Sequence, residues 1–403
     1  MNGFHSRETL AGYERAVLER AVVTIVGAGM IANNVAQTLA LSGVRELRII
    51  DFDVIEPSNV TRSPLFRREL ATSEKPRSKA RELALAALSL SYASDPCVRF
   101  ASSRLEEVGI GALLGSDVVI AAVDNHPARV RIADWTRLVG IPLVECGVSG
   151  HSGHISVFPN CNPDEPCWRC AYPTADAGSF SCRKYAQAVE ADGRIPATQA
   201  LGAVFGAGLV AEHAILALHG EFPLAGCFLE LDLRSGRSNR LTVRRDPDCP
   251  GAHRRLTPAR ALAVRSRDPL EAIFGALGGE LATPRIVLPA PYVVEAPCAR
   301  CGATVRVGKP DWAVDAPSCK TCATTPVFGG RGLLMRAEIA AGDPEAERAC
   351  RVFGLSAGAI FEVEDERTDA IVVCQLAGGV DELFVTRRRA DAKSSAAGGG
   401  SSE

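Results

Sequence analysis

Residues 21–27 read AVVTIVG, a β-branched run that stops on glycine, and the chain continues as AGMIANNVAQTLALSG, whose apolar residues recur at helical spacing. ELRIIDFD then reads as a second strand. Strand, glycine turn, helix and strand make a crossover between parallel neighbours, so this stretch commits the chain to an α/β domain. The pattern repeats with a helix over residues 79–90, the strand SDVVIAAVD, a helix near residues 127–139 and the strand IPLVECGV. The expected architecture is a Rossmann-like, doubly wound, mostly parallel sheet.

Beyond residue 150 the character changes. HSGHISVF reads as a strand, and residues 160–195 form a polar stretch with three prolines and four cysteines, expected as a long crossover loop. The apolar run 199–218 carries Glu212 and His213 and is rich in Gly and Ala, which favours a buried helix over a membrane span. CFLELDLRSGRSNRLTVRR reads as a hairpin closing a first domain, 1–255. A basic, Ala-rich linker is expected over 256–290, a zinc-ribbon module over 291–330 and a small α+β module over 331–386. The last of these reads as a strand (GLLMRAEI), a helix (PEAERACRVFGL) and two further strands (AIFEVED, AIVVCQL). Residues 387–403 have the composition of a disordered tail.

Cysteine is the outlier in composition, at 14 of 403 residues. The first ten residues show no basic stretch followed by an apolar one, so no secretory leader and a cytoplasmic location are expected. Thiols in a reducing compartment serve as metal ligands, nucleophiles or small core residues. Cys298, Cys301, Cys319 and Cys322 are spaced C-x2-C-x17-C-x2-C, which is zinc-ribbon spacing for four thiolate ligands. The formal net charge of −2 and 5% aromatic content argue against a nucleic-acid partner.

Gly27, Gly29 and Ala32 fit G-x-G-x-x-A between strand and helix, with Asp51 and Asp53 about twenty residues on. Alone, that pattern fits an NAD-binding domain. Asp51 to Arg62 then spells D-x-D-x-I-x-x-S-N-x-x-R, followed by Lys79-Ala80 and by Val123-Asp124-Asn125 at a strand end. Together these motifs resemble the ThiF/MoeB and ubiquitin-activating enzyme superfamily over residues 5–253. Its members adenylate the C-terminal glycine of ubiquitin-like or sulfur-carrier proteins.

The resemblance implies roles position by position. Asp51 matches the residue holding the ATP ribose, Asn59, Arg62 and Lys79 those at the triphosphate, and Asp124 the aspartate that organises Mg²⁺; Lys75 is the neighbouring alternative to Lys79. Arg7 matches an arginine that reaches the nucleotide of the other subunit in the family's homodimers. Cys182 lies where some members carry the acyl-accepting cysteine, with Arg183 and Lys184 beside it to favour thiolate. Cys167 and Cys170 with Cys249 and His253 stand where the superfamily has two C-x2-C pairs, so three thiolates and an imidazole are expected to hold a second zinc, with Cys161 as an alternative ligand. Met30 and Ala32 stand where the family has glycine.

The leading expectation is therefore an enzyme that uses ATP, Mg²⁺ and Zn²⁺ to activate a diglycine-ended ubiquitin-like protein, with thioester formation on Cys182 and transfer to a conjugating enzyme. A variant stops at the adenylate of a sulfur carrier for cofactor biosynthesis. From another class comes a degenerate zinc-binding scaffold, marked by Met30 and the altered second cysteine pair. An NAD dehydrogenase leaves S-N-x-x-R and the paired cysteines without an account.

Overall fold

The computed structural model describes residues 9–149, 151–172, 200–251, 253–256, 259–298, 300–313, 318–323 and 334–389. Arg7 and Cys182 lie outside the described residues. The chain divides into two compact units, the first formed by Met1–Leu105, Leu113–Arg255 and Phe384–Glu403, the second by Glu106–Ala112 and Leu256–Leu383.

The first unit is built on a nine-stranded sheet. Its parallel heart comprises β1 (Val22–Val26), β2 (Glu46–Ile50), β3 (Cys97–Ala101), β4 (Val118–Ala121) and β5 (Leu143–Ser149), in the order β3-β2-β1-β4-β5. The strands β6 (Ser152–Phe158), β7 (Cys227–Asp232) and β8 (Arg237–Thr242) extend it antiparallel beyond β5. Strand order reverses between β1 and β4, the switch point where ligands bind in open α/β sheets.

Four helices position the site: α1 (Met30–Ser42), α2 (Lys79–Leu90), α3 (His126–Val139) and α4 (Ala200–Leu218). The first begins on Gly29 and stops at Gly43, whose left-handed φ of 83° ends the helix. It buries Ile31, Ala32, Val35, Ala36, Leu39 and Ala40 in one core with Val23 and Ile25 of β1 and Ile49 of β2. Helix α4 packs on α1 and β5 through Ala207, Val210, Ala211 and Ala214, and these small residues let the elements approach closely. Among the described residues no helix is long and apolar enough to cross a membrane.

Two features of this sheet depart from expectation. Strand β3 was not legible because Arg99 interrupts its short apolar run; in the structure that charge is taken up by Glu46 at 3.0 Å and by the Thr386 hydroxyl at 2.7 Å. The expected tail 387–403 begins too early, since Arg387 and Arg388 belong to β15 (Val385–Arg388), which pairs antiparallel with β3. This strand covers what would otherwise be an open sheet edge, and Arg388 adds an ion pair to Asp95 at 2.9 Å.

The second unit is a mixed sheet of β9 (Arg260–Arg265), β10 (Pro284–Pro297), β11 (Thr304–Pro310), β12 (Leu334–Ala340), β13 (Ile360–Asp365) and β14 (Ile371–Ala377). The long central strand β10 carries β12 on one side and β11 and β13 along the other. The expected linker 256–290 is instead part of this unit, supplying β9, the helix α5 (Glu271–Leu277) and the start of β10. Strand β9 looked like linker because only Leu262 and Val264 turn inward while Arg260 and Arg265 face out. The expected helix PEAERACRVFGL is replaced by two 3-10 turns, Pro344–Glu347 and Cys350–Phe353. Between them Arg348 and Ala349 are extended, and the 268–270 segment pairs with this stretch: Leu270 N–H donates to Arg348 O and Cys350 N–H to Asp268 O, both at 2.9 Å.

Candidate nucleotide site and two cysteine centres

The glycine turn after β1 is bonded to Asp51 and lies against the end of β4. Gly27 has φ 98°, and a Cβ there would meet the carbonyl oxygen of Ala122 at 2.4 Å, so only glycine lets the turn lie against the end of β4. A Cβ on Gly29 would meet nothing within 4 Å, which leaves open space at the start of α1. No side chain caps that helix start, so its first N–H groups can face an anion. Met30 opens the helix without a left-handed backbone, and Ala32 is fully buried beneath it. Glycine is therefore not required at either position.

Asp51, at the end of β2, accepts from Ala28 N–H at 2.6 Å through one carboxylate oxygen and from Asp53 N–H at 2.7 Å through the other. Burial pushes its carboxyl above the ordinary range, opposed by the Asp53 N–H, the Lys79 charge and the Ala28 N–H. Lys79 opens α2 after the N-cap Ser78 and pairs with Asp53 at 3.1 Å, while its own N–H donates to Asp53 O at 2.9 Å. Lys75 is exposed, so of the two lysines it is Lys79 that sits at the Asp51–Asp53 turn. Asn59 closes a tight turn by accepting from Glu56 N–H at 2.9 Å, and Arg62 N–H follows by donating to Asn59 O at 3.3 Å. Arg62 is half-buried. Asp124 leaves the end of β4 exposed, with Asn125 capping α3 beside it through a bond from Ala128 N–H at 2.9 Å.

Sequence reasoning missed a buried ionic group that anchors the Asp124 turn. Arg129 donates to Val123 O at 2.7 Å and to Cys146 O at 2.8 Å, and pairs with Glu145, which is 1% exposed. Glu145 also accepts from Ser156 Oγ at 2.9 Å and His154 Nε2 at 3.2 Å. Burial, then the Arg129 charge, holds the His154 imidazole down at about 4, so at neutral pH it is an uncharged donor. The available signal was a glutamate inside the apolar strand LVECGV, since a charge there requires a partner.

Cys167, Cys170, Cys249 and His253 converge so that their ligand atoms all lie within 4.8 Å of one another. Sγ of Cys167 is 3.8 Å from that of Cys170, 3.7 Å from that of Cys249 and 3.3 Å from Nε2 of His253. Zn–S bonds of about 2.3 Å in a tetrahedron put sulfurs about 3.8 Å apart, so the donor set fits zinc. His253 Nδ1 donates to Pro163 O at 2.9 Å, which leaves Nε2 unprotonated as the ligand. N–H groups of Asp246 and Gly251 point at the Cys170 and Cys249 sulfurs at 3.5 and 3.4 Å. Cys161 stands apart, its thiol directed to Pro159 O.

Cys298, Cys301, Cys319 and Cys322 form a second such set, with Sγ–Sγ distances of 3.6 Å for Cys298–Cys322 and for Cys301–Cys319. Each C-x2-C pair is followed by a left-handed residue, Gly302 at φ 70° and Ala323 at φ 56°. Alanine is strained there and glycine is not, so Ala323→Gly is expected to stabilise the holo-protein by about 1 kcal/mol. Thermal unfolding with saturating zinc would check it; an unchanged or lowered midpoint would contradict it.

The fold and this site define a nucleotide-binding α/β domain with an open glycine turn at its switch point and a cysteine-histidine clip. The chain belongs to the ThiF family, whose profile matches residues 8–251. It is 32% identical over 255 residues to the sulfur carrier protein adenylyltransferase of Thermus thermophilus, covering 59% of this chain and 84% of that protein. It is 34% identical over 156 residues to mouse adenylyltransferase and sulfurtransferase MOCS3, covering 39% of this chain and only 32% of that protein. Among solved structures, the fold is shared with E. coli MccB crystallised with AMPCPP and MccA, at a TM-score of 0.51 and 20% identity over 62% of this chain and 75% of that one.

Proposed function

We propose that the first unit binds ATP·Mg and adenylates the C-terminal glycine of a ubiquitin-like or sulfur-carrier protein. The observation that supports this reading is the bonding of Asp51 to the glycine turn and to Asp53, with Lys79 paired to Asp53, and the close approach of Gly27 to the end of β4 just before Asp124. Support also comes from the relatives' names, which are those of adenylyltransferases.

In this reading the partner's terminal carboxylate attacks the α-phosphate of ATP, an acyl–phosphate bond forms and pyrophosphate leaves. Two anions must approach, so fixed positive charge from Arg62 and Lys79 lowers the barrier, and Arg7 adds to it across a homodimer. Asp51 would hold the ribose, and Asp124 would hold Mg²⁺, which when bound would supply charge to offset that of the phosphates. The Cys182 thiolate then attacks the acyl carbon of the adenylate, forming a thioester as the acyl–phosphate bond breaks and AMP leaves, for transfer to a conjugating enzyme. The Cys167/Cys170/Cys249/His253 and Cys298/Cys301/Cys319/Cys322 sets hold one structural zinc each.

The test is ATP–pyrophosphate exchange with candidate diglycine-ended partners. Exchange that requires the partner's terminal glycine is the expected result. Absence of exchange with every partner, together with no ATP binding by calorimetry, would select the scaffold reading. Undiminished activity of Cys182→Ala, with no reducible adduct in the wild type, would select the sulfur-carrier variant.

A further inference from the structure

We infer that Asn33 is a positioning residue that locks the glycine turn to the loop carrying Arg62, so that the triphosphate cradle is assembled before nucleotide arrives. The inference rests on the ATP-binding reading above. Asn33 sits in the first turns of α1, on the face that buries Ile31, Ala32, Val35 and Ala36, and it is 0% exposed. A carboxamide among aliphatic side chains costs stability unless every polar atom is paired. Here all are used. Nδ2 donates to Ala28 O and to Gly29 O, each at 3.2 Å, and Oδ1 accepts from Leu65 N–H at 3.1 Å.

Two of the bonds hold Asn33 to the turn just before it, and the third reaches Leu65, 32 residues on in sequence. Ala28 and Gly29 are the turn whose open side faces the space left by Gly29. Leu65 lies three residues after Arg62, in a loop held compact by Phe66 N–H donating to Ser63 O at 3.0 Å and by the burial of Ser63 and Phe66. Tying Leu65 to the turn therefore fixes where Arg62 leaves the backbone relative to the N–H groups at the start of α1. The residue type is specific to this task. Aspartate has no protons to give the two carbonyls, serine carries only one donor, and leucine would leave Ala28 O and Leu65 N–H without their Asn33 partner, Gly29 O alone keeping the Asn33 backbone N–H. Preassembly of this kind raises affinity by removing the ordering cost that a mobile cradle imposes on binding.

The experiment compares wild type, Asn33→Asp and Asn33→Ala by calorimetry with AMPCPP and with adenosine, alongside Arg62→Ala and the Asn33→Ala/Arg62→Ala double variant. The expected result is AMPCPP binding weakened about ten-fold in both Asn33 variants, with adenosine affinity unchanged because the ribose contact at Asp51 stays in place. In the Arg62→Ala background the Asn33→Ala substitution should add less than two-fold, since the two act through one cradle. Equal losses for AMPCPP and adenosine, or full additivity with Arg62→Ala, would show a merely structural asparagine and overturn the inference. A wild type that binds neither ligand refutes the ATP-binding reading itself, a distinguishable outcome.

Discussion

Asp124→Asn is expected to lower ATP–pyrophosphate exchange by about 100- to 1,000-fold while leaving the fold as stable as the wild type. The carboxylate stands exposed at the end of β4, where its neighbour Asn125 donates to it at 3.3 Å. Replacing an exposed carboxylate by its isosteric amide changes stability by no more than about 0.5 kcal/mol. The loss would fall on chemistry, because an amide neutralises none of the charge on Mg²⁺ and binds it weakly, and the departing pyrophosphate then keeps its charge uncompensated. Raising magnesium should restore part of the rate, which separates a metal-holding role from a role in fold.

Asp51→Asn offers the contrast. Both Asp51 oxygens accept backbone N–H bonds that hold the glycine turn and the Asp53 turn, so its replacement should lower thermal stability and nucleotide affinity together. If Asp124→Asn kept more than a tenth of wild-type exchange, or lost stability as Asp51→Asn does, the assignment of Asp124 to the metal would not stand.

The sequence made β1, β2, β4 and β5 of the parallel heart readable for a physical reason. Each of these four strands is short, carries β-branched residues and is bounded by glycine or a polar turn, and α1 has an uninterrupted 3.6-residue period until Gly43. What escaped reading depended on partners distant in sequence. Strand β3 carries Arg99 in its middle, and only Glu46 and Thr386 make that arginine acceptable. The second half of strand β15, Arg387 and Arg388, was hidden inside a basic tail because the edge it covers lies almost three hundred residues earlier. Strand β9 shows two buried residues among arginines, too few to register as alternation.

The candidate site divides along the same line. Gly27, Asp51, Lys79 and Asp124 follow strand ends or helix starts, so their motif spacing translates directly into position. Asn33, Arg129 and Glu145 act from inside apolar segments, where a polar residue signals only that some partner exists. Their roles became legible once Leu65, Val123 and Ser156 were found bonded to them.

The two cysteine centres should be separable by mutation, because the ligands of each fall entirely within one compact unit. The wild type is expected to hold two zinc ions per chain by atomic emission, and Cys167→Ser and Cys298→Ser one each. Cys167 is 4% exposed and lies at the centre of its set, within 3.8 Å of Cys170, Cys249 and His253, so serine cannot replace it in coordination without leaving a void. Structural zinc contributes about 10 kcal/mol or more to the folded state of the segments it joins, against total domain stabilities of about 5–15 kcal/mol. Even if most of that is offset by relaxation, a net loss of about 3 kcal/mol should lower the midpoint of the first unit by roughly 6–12 °C. Exchange activity should fall with it, since the clip joins the Cys167–Cys170 turn to the Cys249 and His253 stretch that follows β8 in the same unit. Cys298→Ser should instead leave exchange within about two-fold of wild type, because Gly27, Asp51, Asn59, Arg62, Lys79 and Asp124 all belong to the first unit. A single zinc in the wild type, or a Cys298→Ser variant that loses exchange as fully as Cys167→Ser, would show that the second centre serves the nucleotide site and that the units do not act separately.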